Sequence, residues 1–399
     1  MGFDFRRRFD GLQEQMEKFN LDLVVYGSCQ NFQYLTGLNE KNQYWNWRRY
    51  TDLGSSVENL FVARNREPIL TLSQQIVEYS PQRKTSVKDV RILDDGPLFG
   101  FHYGENYGKL VRKVINDLNI KGQKIGIGDH IWGSTTANLA EGVKNAEFHP
   151  AGNLIAGVRA TKDDEEIRLL REAAVLTDKV MENVIPKITE GVTQHDIETE
   201  VEFQGQKLGA SDVDFRPTAI FHKTGSKPSI GPASYPKEKG LVPGTSIAFD
   251  IGFVKDGYCS DFGRSFYYGT PDSEMKQGYA ALHSAILSTV DRLSSDGLRA
   301  CDLFPILEKY LEKLGFGKYL PTYLPELLGH SIGIEAHELP WLTPRYKEEI
   351  VPNMVMAWEP RIWRAGKYYM RVEDMILVGK RKAKLLTQFD RNLFQLSNR

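Results

Sequence analysis

The sequence predicts a mixed α/β (α+β) protein with two domains. Its 399 residues exceed the length at which one hydrophobic core usually stops growing, so two domains are expected. Strand-like and helix-like segments alternate in the N-terminal part, whereas strand-like segments further on carry carboxylates in apolar surroundings. We therefore expect a smaller N-terminal α/β domain over residues 1–156 and a larger C-terminal domain over residues 157–399.

The N-terminal elements follow from short local patterns. LDLVVYG is an apolar run ended by glycine, and NLFVARNREPILTL indicates a strand, a polar turn and a second strand. YGKLVRKVINDLNI has helical spacing, and QKIGIGD indicates a further strand.

The second domain is expected to start with a long amphipathic helix. Thr161 is a candidate N-cap, and residues 163–166 are all acidic, the sign of charge that a helix N-terminus favours. A second helix is expected to start at Thr193 and to stop before Gly209.

Composition and charge exclude several classes of partner. The formal net charge is -1 with no long block of one sign, which argues against nucleic acid and anionic membrane surfaces. No apolar run approaches the roughly 18 to 20 residues of a membrane helix. The cysteines, Cys29, Cys259 and Cys301, are odd in number and widely spaced, which indicates a reducing compartment and a cytoplasmic location.

Two carboxylates interrupt an apolar hairpin in the C-terminal domain. The segment GTSIAFDIGFVKDGYCSDFGRSFYYG has turn residues at 255–257, with Asp250 on one strand and Asp261 on the other. A two-residue turn gives paired residues whose numbers add up to 511 or 513, which places the two aspartates opposite or diagonal to each other on one face. A three-residue turn would separate them. Close carboxylates on a partly buried sheet repel unless a cation or a proton lies between them.

A second acid-bearing hairpin follows near the C-terminus. In MVMAWEPRIWRAGKYYMRVEDMILV, Glu359 and Glu373 lie in strand-like surroundings, and a loop centred on Gly366 would place them opposite each other. The alternative for each acid is a charge on a solvated strand face. With His330 of the segment ELLGHSIGIEAHELP, the four carboxylates form an oxygen-rich ligand set for Mn²⁺, Co²⁺, Fe²⁺ or Zn²⁺. Five side chains favour two metals that share an activated water, which is a hydrolase site.

These motifs, in this order, resemble the M24 metallopeptidase family. The match runs over residues 157–399: a DxG with a second Asp eleven residues on in SDFGR, then GHSIG, AHELP, WEP and RVED. The N-terminal part, with NFQYLTG at 31–37, is similar to the extra domain of the creatinase, prolidase and aminopeptidase P branch. The resemblance implies a C-terminal pita-bread domain, a creatinase-type N-terminal domain and a homodimer.

The resemblance also implies individual roles. The expected cofactor is two divalent metal ions, with manganese as the first candidate and cobalt, zinc or iron as alternatives. The residues expected to bind them are Asp250, Asp261, His330, Glu359 and Glu373. Asp250 would bind one metal, Asp261 and Glu373 would bridge both, and Glu359 would share the metal of His330 and shuttle the proton. His337 matches the substrate-side histidine, and Arg371 the arginine that holds acidic ligands.

The sequence departs from the peptidase pattern at two histidines. The family's peptidases carry a histidine upstream of the first ligand, where this chain has TGSKPSIGPASYP, with Pro232 close to the expected position. His222 is the nearest histidine and is a candidate substitute, with a surface or structural role as the alternative. Glu326 occupies the place of a second histidine of the aminopeptidase P pattern.

The leading hypothesis is therefore a dinuclear metal hydrolase of the Xaa-Pro aminopeptidase or dipeptidase type, in which metal-activated water attacks an amide C–N bond. The alternative is an M24-fold metalloenzyme for a small non-peptide substrate, either another C–N hydrolase or a dimethylsulfoniopropionate-type C–S lyase. A non-catalytic binding protein is a third class. The aromatic segment QYWNWRRYTD at 43–52 is a further place to look for specificity, with a packed surface loop as the alternative.

Overall fold

The protein divides into two compact units, one over residues 2–159 and one over residues 160–399. The structure is a computed structural model. It describes residues 2–39, 57–74, 77, 84–93, 103–226, 235–290, 292–293, 297–321, 326–392 and 394–396. The expected boundary between residues 156 and 157 and the observed division both lie in the short helix Ala156–Ala160.

The N-terminal unit is built on one mixed sheet. Its strands are β1 Leu23–Gly27, β2 Asn59–Ala63, β3 Ile69–Ser73, β4 Asp89–Leu93, β5 Lys124–Ile127 and β6 Glu147–Pro150. Its helices are α1 Phe5–Lys18, α2 Gln30–Thr36, α3 Tyr103–Leu118, α4 Gly133–Gly142 and α5 Ala156–Ala160. The strand order is β4-β3-β2-β1-β5-β6. Apolar side chains of β1, β2 and α3 form the core of this unit, as the local patterns predict.

The C-terminal unit packs helices against several small, mainly antiparallel sheets. Its helices are α6 Asp164–Val184, α7 Gln194–Lys207, α8 Ser273–Val290 and α9 Ala300–Lys313, with 3₁₀ turns at Ile185–Lys187 and Gly317–Tyr319. Its strands are β7 Asp212–Val213, β8 Thr218–Lys223, β9 Thr245–Asp250, β10 Phe253–Lys255, β11 Tyr258–Cys259, β12 Ser265–Tyr268, β13 Gly329–Ser331, β14 Glu338–Trp341, β15 Val355–Trp358, β16 Arg361–Arg364, β17 Tyr368–Arg371, β18 Asp374–Leu377, β19 Lys384–Leu385 and β20 Phe394–Leu396. The sheet orders are β11-β10-β7, β20-β12-β9-β8, β14-β13-β15-β18-β19 and β16-β17. The predicted α/β class is confirmed.

The first long helix of this unit starts later than the sequence suggests. Asp163 is the N-cap of α6, because its side chain accepts a hydrogen bond from the Glu166 backbone while the Glu166 side chain accepts one from the Asp163 backbone. The prediction of Thr161 as the cap is wrong, since Thr161 forms an isolated bridge with Met354. Thr193 caps α7 as expected. Among the described residues, no helix combines the length and the apolar character needed to span a bilayer.

The first acid-bearing hairpin has the two-residue turn that brings its aspartates together. Asp256 and Gly257 both have positive φ, at 50° and 87°, as a type I′ turn requires. The pairs Lys255 with Tyr258, Ile251 with Phe262 and Thr245 with Tyr268 share the sum of 513. Asp250 is therefore diagonal to Asp261 and lies on the same face.

The second hairpin keeps one register across a break between two sheets. Arg361 pairs with Arg371 between β16 and β17, and Trp358 pairs with Asp374 between β15 and β18. In both pairs the two residue numbers add up to 732. Glu359 and Glu373 lie between these pairs and share that sum. The loop contains Gly366 with φ of 70°, a left-handed conformation that favours glycine. The predicted opposition of the two glutamates is confirmed.

Candidate metal centre

Two hairpins and strand β13 bring the five candidate ligands to one place. His330 lies on β13, which pairs with β15 just before Glu359. Within the described part of the chain, three overlapping groups have potential ligand atoms that all lie within 4.8 Å of one another. The groups are Asp250 with Asp261 and Glu373, His330 with Glu359 and Glu373, and Asp261 with His330 and His337.

Three potential ligand atoms of this cluster lack hydrogen-bond partners within the described part of the chain. Asp261 Oδ1, His330 Nε2 and Glu373 Oε1 are buried and have no hydrogen-bond partner among the described residues. Buried polar atoms are normally paired, so three buried ligand atoms without hydrogen-bond partners in one cluster are suited to bind a cation. Oxygen and imidazole donors at this spacing fit divalent metal ions.

The imidazole of His330 is held in the orientation of a metal ligand. Its Nδ1 donates to the Ser331 carbonyl oxygen at 3.1 Å, which leaves the Nε2 lone pair facing the carboxylates. Nε2 lies 3.4 Å from Asp261 Oδ2 and 4.0 Å from Glu359 Oε1. A ring held this way presents Nε2 to a cation between these acids.

Two arginines neutralise part of the negative charge. Arg371 is buried and contacts three carboxylates: it donates to Glu359 Oε2 at 2.9 Å, to Glu373 Oε2 at 2.6 Å and to Asp250 Oδ2. Arg361 also donates to Glu359 Oε2. Four carboxylates against two guanidinium groups leave the ionised cluster negatively charged, which favours added cations.

Burial and mutual repulsion shift the protonation of the cluster. Desolvation, followed by the charge of Asp250, raises the pKa of Asp261 well above its ordinary value. Desolvation also raises the pKa of Glu373, against the lowering effect of Arg371. Desolvation lowers the pKa of His330. Each shift disfavours the charged form of the group in the absence of a cation, so a bound metal would favour the ionised carboxylates.

His337 lies beside the cluster and is exposed to solvent. Its ring centroid is 4.4 Å from that of His330, and it stacks on Trp341 with centroids 5.2 Å apart and planes 17° apart. Desolvation of the partly covered ring, followed by the charge of His330, lowers the pKa of His337 to about 4. A neutral imidazole at the edge of the cluster can donate or accept a hydrogen bond to a ligand there.

The remaining candidate positions are less directly connected with the cluster. His222 is buried on β8 and pairs with Ser246, four positions along β9 from Asp250, and it belongs to none of the three ligand groups. Glu326 is exposed with φ of 62°. Pro232 and the aromatic segment 43–52 lie outside the described residues.

Comparisons with known proteins identify the family. The description "Metallopeptidase family M24" matches residues 168–380, and "Creatinase/Prolidase N-terminal domain" matches residues 8–161. The chain belongs to metallopeptidase family M24. The predicted family and enzyme class, an M24-type metallohydrolase, are confirmed. The M24 catalytic region and the creatinase-type N-terminal domain agree with the predicted architecture.

Two relatives show the extent of the similarity. YkvY of Bacillus subtilis, whose name describes a dipeptidase, is 30% identical over 300 residues, which cover 75% of this chain and 80% of the relative. An uncharacterized peptidase of Staphylococcus epidermidis, SERP1271, is 25% identical over 332 residues, or 83% of this chain and 88% of the relative.

Solved structures extend the similarity to nearly the whole chain. A Xaa-Pro dipeptidase from Bacillus anthracis has a TM-score of 0.80 at 23% identity and covers 98% of this chain and 100% of its own. A prolidase from Thermococcus sibiricus has a TM-score of 0.78 at 24% identity, with coverage of 99% and 100%. The N-terminal domain of the FACT complex subunit SPT16 from chickpea has a TM-score of 0.71 at 17% identity, with coverage of 99% of both chains. Structural likeness at these identities shows the shared fold and not the activity.

Sequence reasoning missed residues that contact the cluster and its neighbours. Arg361 is one, although the register that pairs Glu359 with Glu373 also pairs Arg361 with Arg371. The buried pair of Lys162 and Glu338, with Nζ 3.0 Å from Oε2, is another. Glu338 adjoins His337 in AHELP, but Lys162 is too distant in sequence for a local pattern to connect the two.

Proposed function

We propose that the protein is a metal-dependent peptidase that cleaves Xaa-Pro bonds, with dipeptides as the first substrates to test. The single observation that carries this proposal is the cluster of buried, unpaired ligand atoms on Asp261, His330 and Glu373 in an M24 family chain. The dipeptidase name of the 30% identical relative and the names of the structural neighbours support the substrate class.

In this proposal two divalent ions, with manganese as the first candidate, would be held by five side chains: Asp250, Asp261, His330, Glu359 and Glu373. When bound, the ions would supply an activated water and polarise the scissile carbonyl group. Asp261 and Glu373 would each help to hold both ions, and the closeness of their ligand atoms in the first ligand group supports that role. Arg371 keeps three of the carboxylates in place through its contacts with them.

The chain's own residues would supply proton transfer and substrate orientation. Glu359 is the candidate to accept a proton at Oε1, since Oε2 already accepts from Arg361 and Arg371. His337 lies at the exposed edge of the cluster and would hydrogen-bond the substrate beside the scissile bond. Trp341 stacks on His337 and limits the rotation of its ring.

The second candidate is a metal-dependent enzyme for a small non-peptide substrate, either another C–N hydrolase or a C–S lyase. It is favoured by one feature of the sequence: no histidine lies between His222 and His283, where the family's peptidases carry one. The five candidate ligands are compatible with this alternative. The dimeric state and the cytoplasmic location stay predictions.

A substrate panel separates the two candidates. The protein, reconstituted with Mn²⁺ or Co²⁺, is assayed against Xaa-Pro dipeptides, longer Xaa-Pro peptides and small zwitterions. We expect hydrolysis of Xaa-Pro substrates that disappears on metal chelation and returns on metal addition. Absence of turnover of every peptide by protein with measured bound metal would rule out the peptidase function.

A further inference from the structure

A turn at residues 333–335, between His330 and His337, is held by a buried ion pair. Lys162 Nζ lies 3.0 Å from Glu338 Oε2, and the two side chains are 1% and 4% exposed. Glu338 Oε1 accepts hydrogen bonds from the backbone N–H groups of Ile334, at 2.9 Å, and Glu335, at 3.3 Å. One carboxylate therefore binds the lysine with one oxygen and the backbone of the turn with the other.

The turn is shaped to admit this carboxylate. A Cβ atom on Gly333 would lie 2.6 Å from Glu338 Oε1, so a larger residue would displace the carboxylate. The other side of the turn is held by Cys259, whose N–H donates to the Gly333 carbonyl oxygen at 2.8 Å. The Cys259 thiol donates to the Ile334 carbonyl oxygen at 3.0 Å. The backbone of the turn is thus fixed from two sides.

Lys162 provides a rigid anchor for the pair. Its backbone N–H donates to the Asn353 carbonyl oxygen at 2.9 Å, and the preceding residue, Thr161, bridges Met354. The following residue, Asp163, caps α6. The Lys162 side chain is buried, and its ammonium group also donates to Ser331 Oγ at 3.4 Å, so it is a fixed point rather than a mobile surface charge.

The position of Glu338 determines the direction of His337. Consecutive residues at the start of a strand point to opposite faces, and here Glu338 is buried whereas His337 is exposed. His337 then stacks on Trp341 and meets the ring of His330. Release of Glu338 would let the turn move and would change the angle at which the His337 ring enters the site.

We propose that Lys162 and Glu338 are positioning residues for His337. The pair holds the turn, and the turn presents the imidazole to the substrate. The kinetic part of this inference rests on the proposed peptidase function, whereas its structural part does not need a substrate. Both parts are tested with Glu338→Gln, Lys162→Met and the double variant Lys162→Met/Glu338→Gln. The double variant leaves no unpaired buried charge and therefore separates positioning from misfolding.

The first test is substrate-free NMR of protein with ¹³C-labelled histidine rings. The chain has 8 histidines, and the signal of His337 is identified by its loss in His337→Ala. We expect that signal to move or broaden in all three variants, because loss of the ion pair lets the turn shift and changes the packing of the His337 ring on Trp341, while metal content stays at the wild-type level. Arg168→Gln is the matched control, because it removes exposed ion pairs with Glu165 and Glu172 on α6. An unchanged His337 signal in the double variant would overturn the proposal.

The second test is a double-mutant cycle on Xaa-Pro hydrolysis. We expect kcat to fall about 10- to 100-fold in Glu338→Gln with little change in KM, as for a displaced catalytic group. In the His337→Ala background the same substitution should change kcat less than about 2-fold, because the pair acts through His337. Equal effects of Glu338→Gln in both backgrounds would overturn the proposal. If the wild-type protein hydrolyses no peptide, the proposed function fails and the NMR result still decides the structural part.

Discussion

Removal of one carboxylate of the proposed metal centre should change metal binding and metal-free stability in different directions. Ligand atoms of Asp261 lie within 4.8 Å of those of Asp250 and Glu373. At an effective dielectric constant of about 20, two unit charges at that distance repel by about 3.5 kcal/mol. Arg371 offsets part of this repulsion, and the repulsion from Asp250 contributes to the raised pKa of Asp261. Asp261→Ala removes the remainder, so the metal-free variant should be at least as stable as the metal-free wild type.

The metal-loaded proteins should show the opposite order. A ligand at 100 times its Kd stabilises the folded state by about 2.7 kcal/mol. For a unit of about 240 residues that corresponds to a rise in Tm of about 5 to 11 °C. We expect this rise for the wild type and less than about 2 °C for Asp261→Ala, since one of the proposed ligands is lost.

The assay is thermal unfolding with and without Mn²⁺, together with measured metal content. Asp178→Asn is the matched control: Asp178 is a buried aspartate of the same unit, and it accepts hydrogen bonds from the backbone of Gln388 and Phe389 outside the ligand groups. The control should be less stable and should keep the full metal-dependent shift. Wild-type metal content and a wild-type shift in Asp261→Ala would refute the ligand assignment.

Three further substitutions, with Thr161→Ala as a control for one of them, test local packing and capping in the C-terminal unit. Gly333→Ala should lower the free energy of unfolding by about 1 to 3 kcal/mol in chemical denaturation, because its Cβ collides with the Glu338 carboxylate. Arg264→Met should cost about 3 to 5 kcal/mol, because it leaves the fully buried Asp374 without one of its ion pairs; a change below about 1 kcal/mol would contradict this. Asp163→Ala should cost about 1 kcal/mol through loss of the α6 cap, whereas Thr161→Ala should leave that cap intact.

The two hairpins were the most predictable part of the site. Short turns fix the register of a hairpin, so Glu359 and Glu373 could be placed opposite each other from the sequence. The sequence left Asp250 either opposite or diagonal to Asp261. The positive φ angles of Asp256 and Gly257 decide for the diagonal arrangement.

Contacts between distant segments were not predictable from local patterns. The approach of Lys162 to Glu338 depends on how the start of α6 packs against β14, and periodicity carries no information about such pairs. The cap of α6 was misplaced for a different reason. Thr161 and Asp163 are both of residue types that favour the N-cap position. Because the backbone of Thr161 pairs with that of Met354, the helix starts later and Asp163 is the cap.

The most direct test of the proposed metal centre is an anomalous-scattering map from crystals grown with Mn²⁺. We predict two manganese peaks, both surrounded by Asp250, Asp261, His330, Glu359 and Glu373, with Asp261 and Glu373 in contact with each peak. Crystals of Asp261→Ala should lack at least one peak. Manganese bound elsewhere, with none among these five residues, would contradict the account.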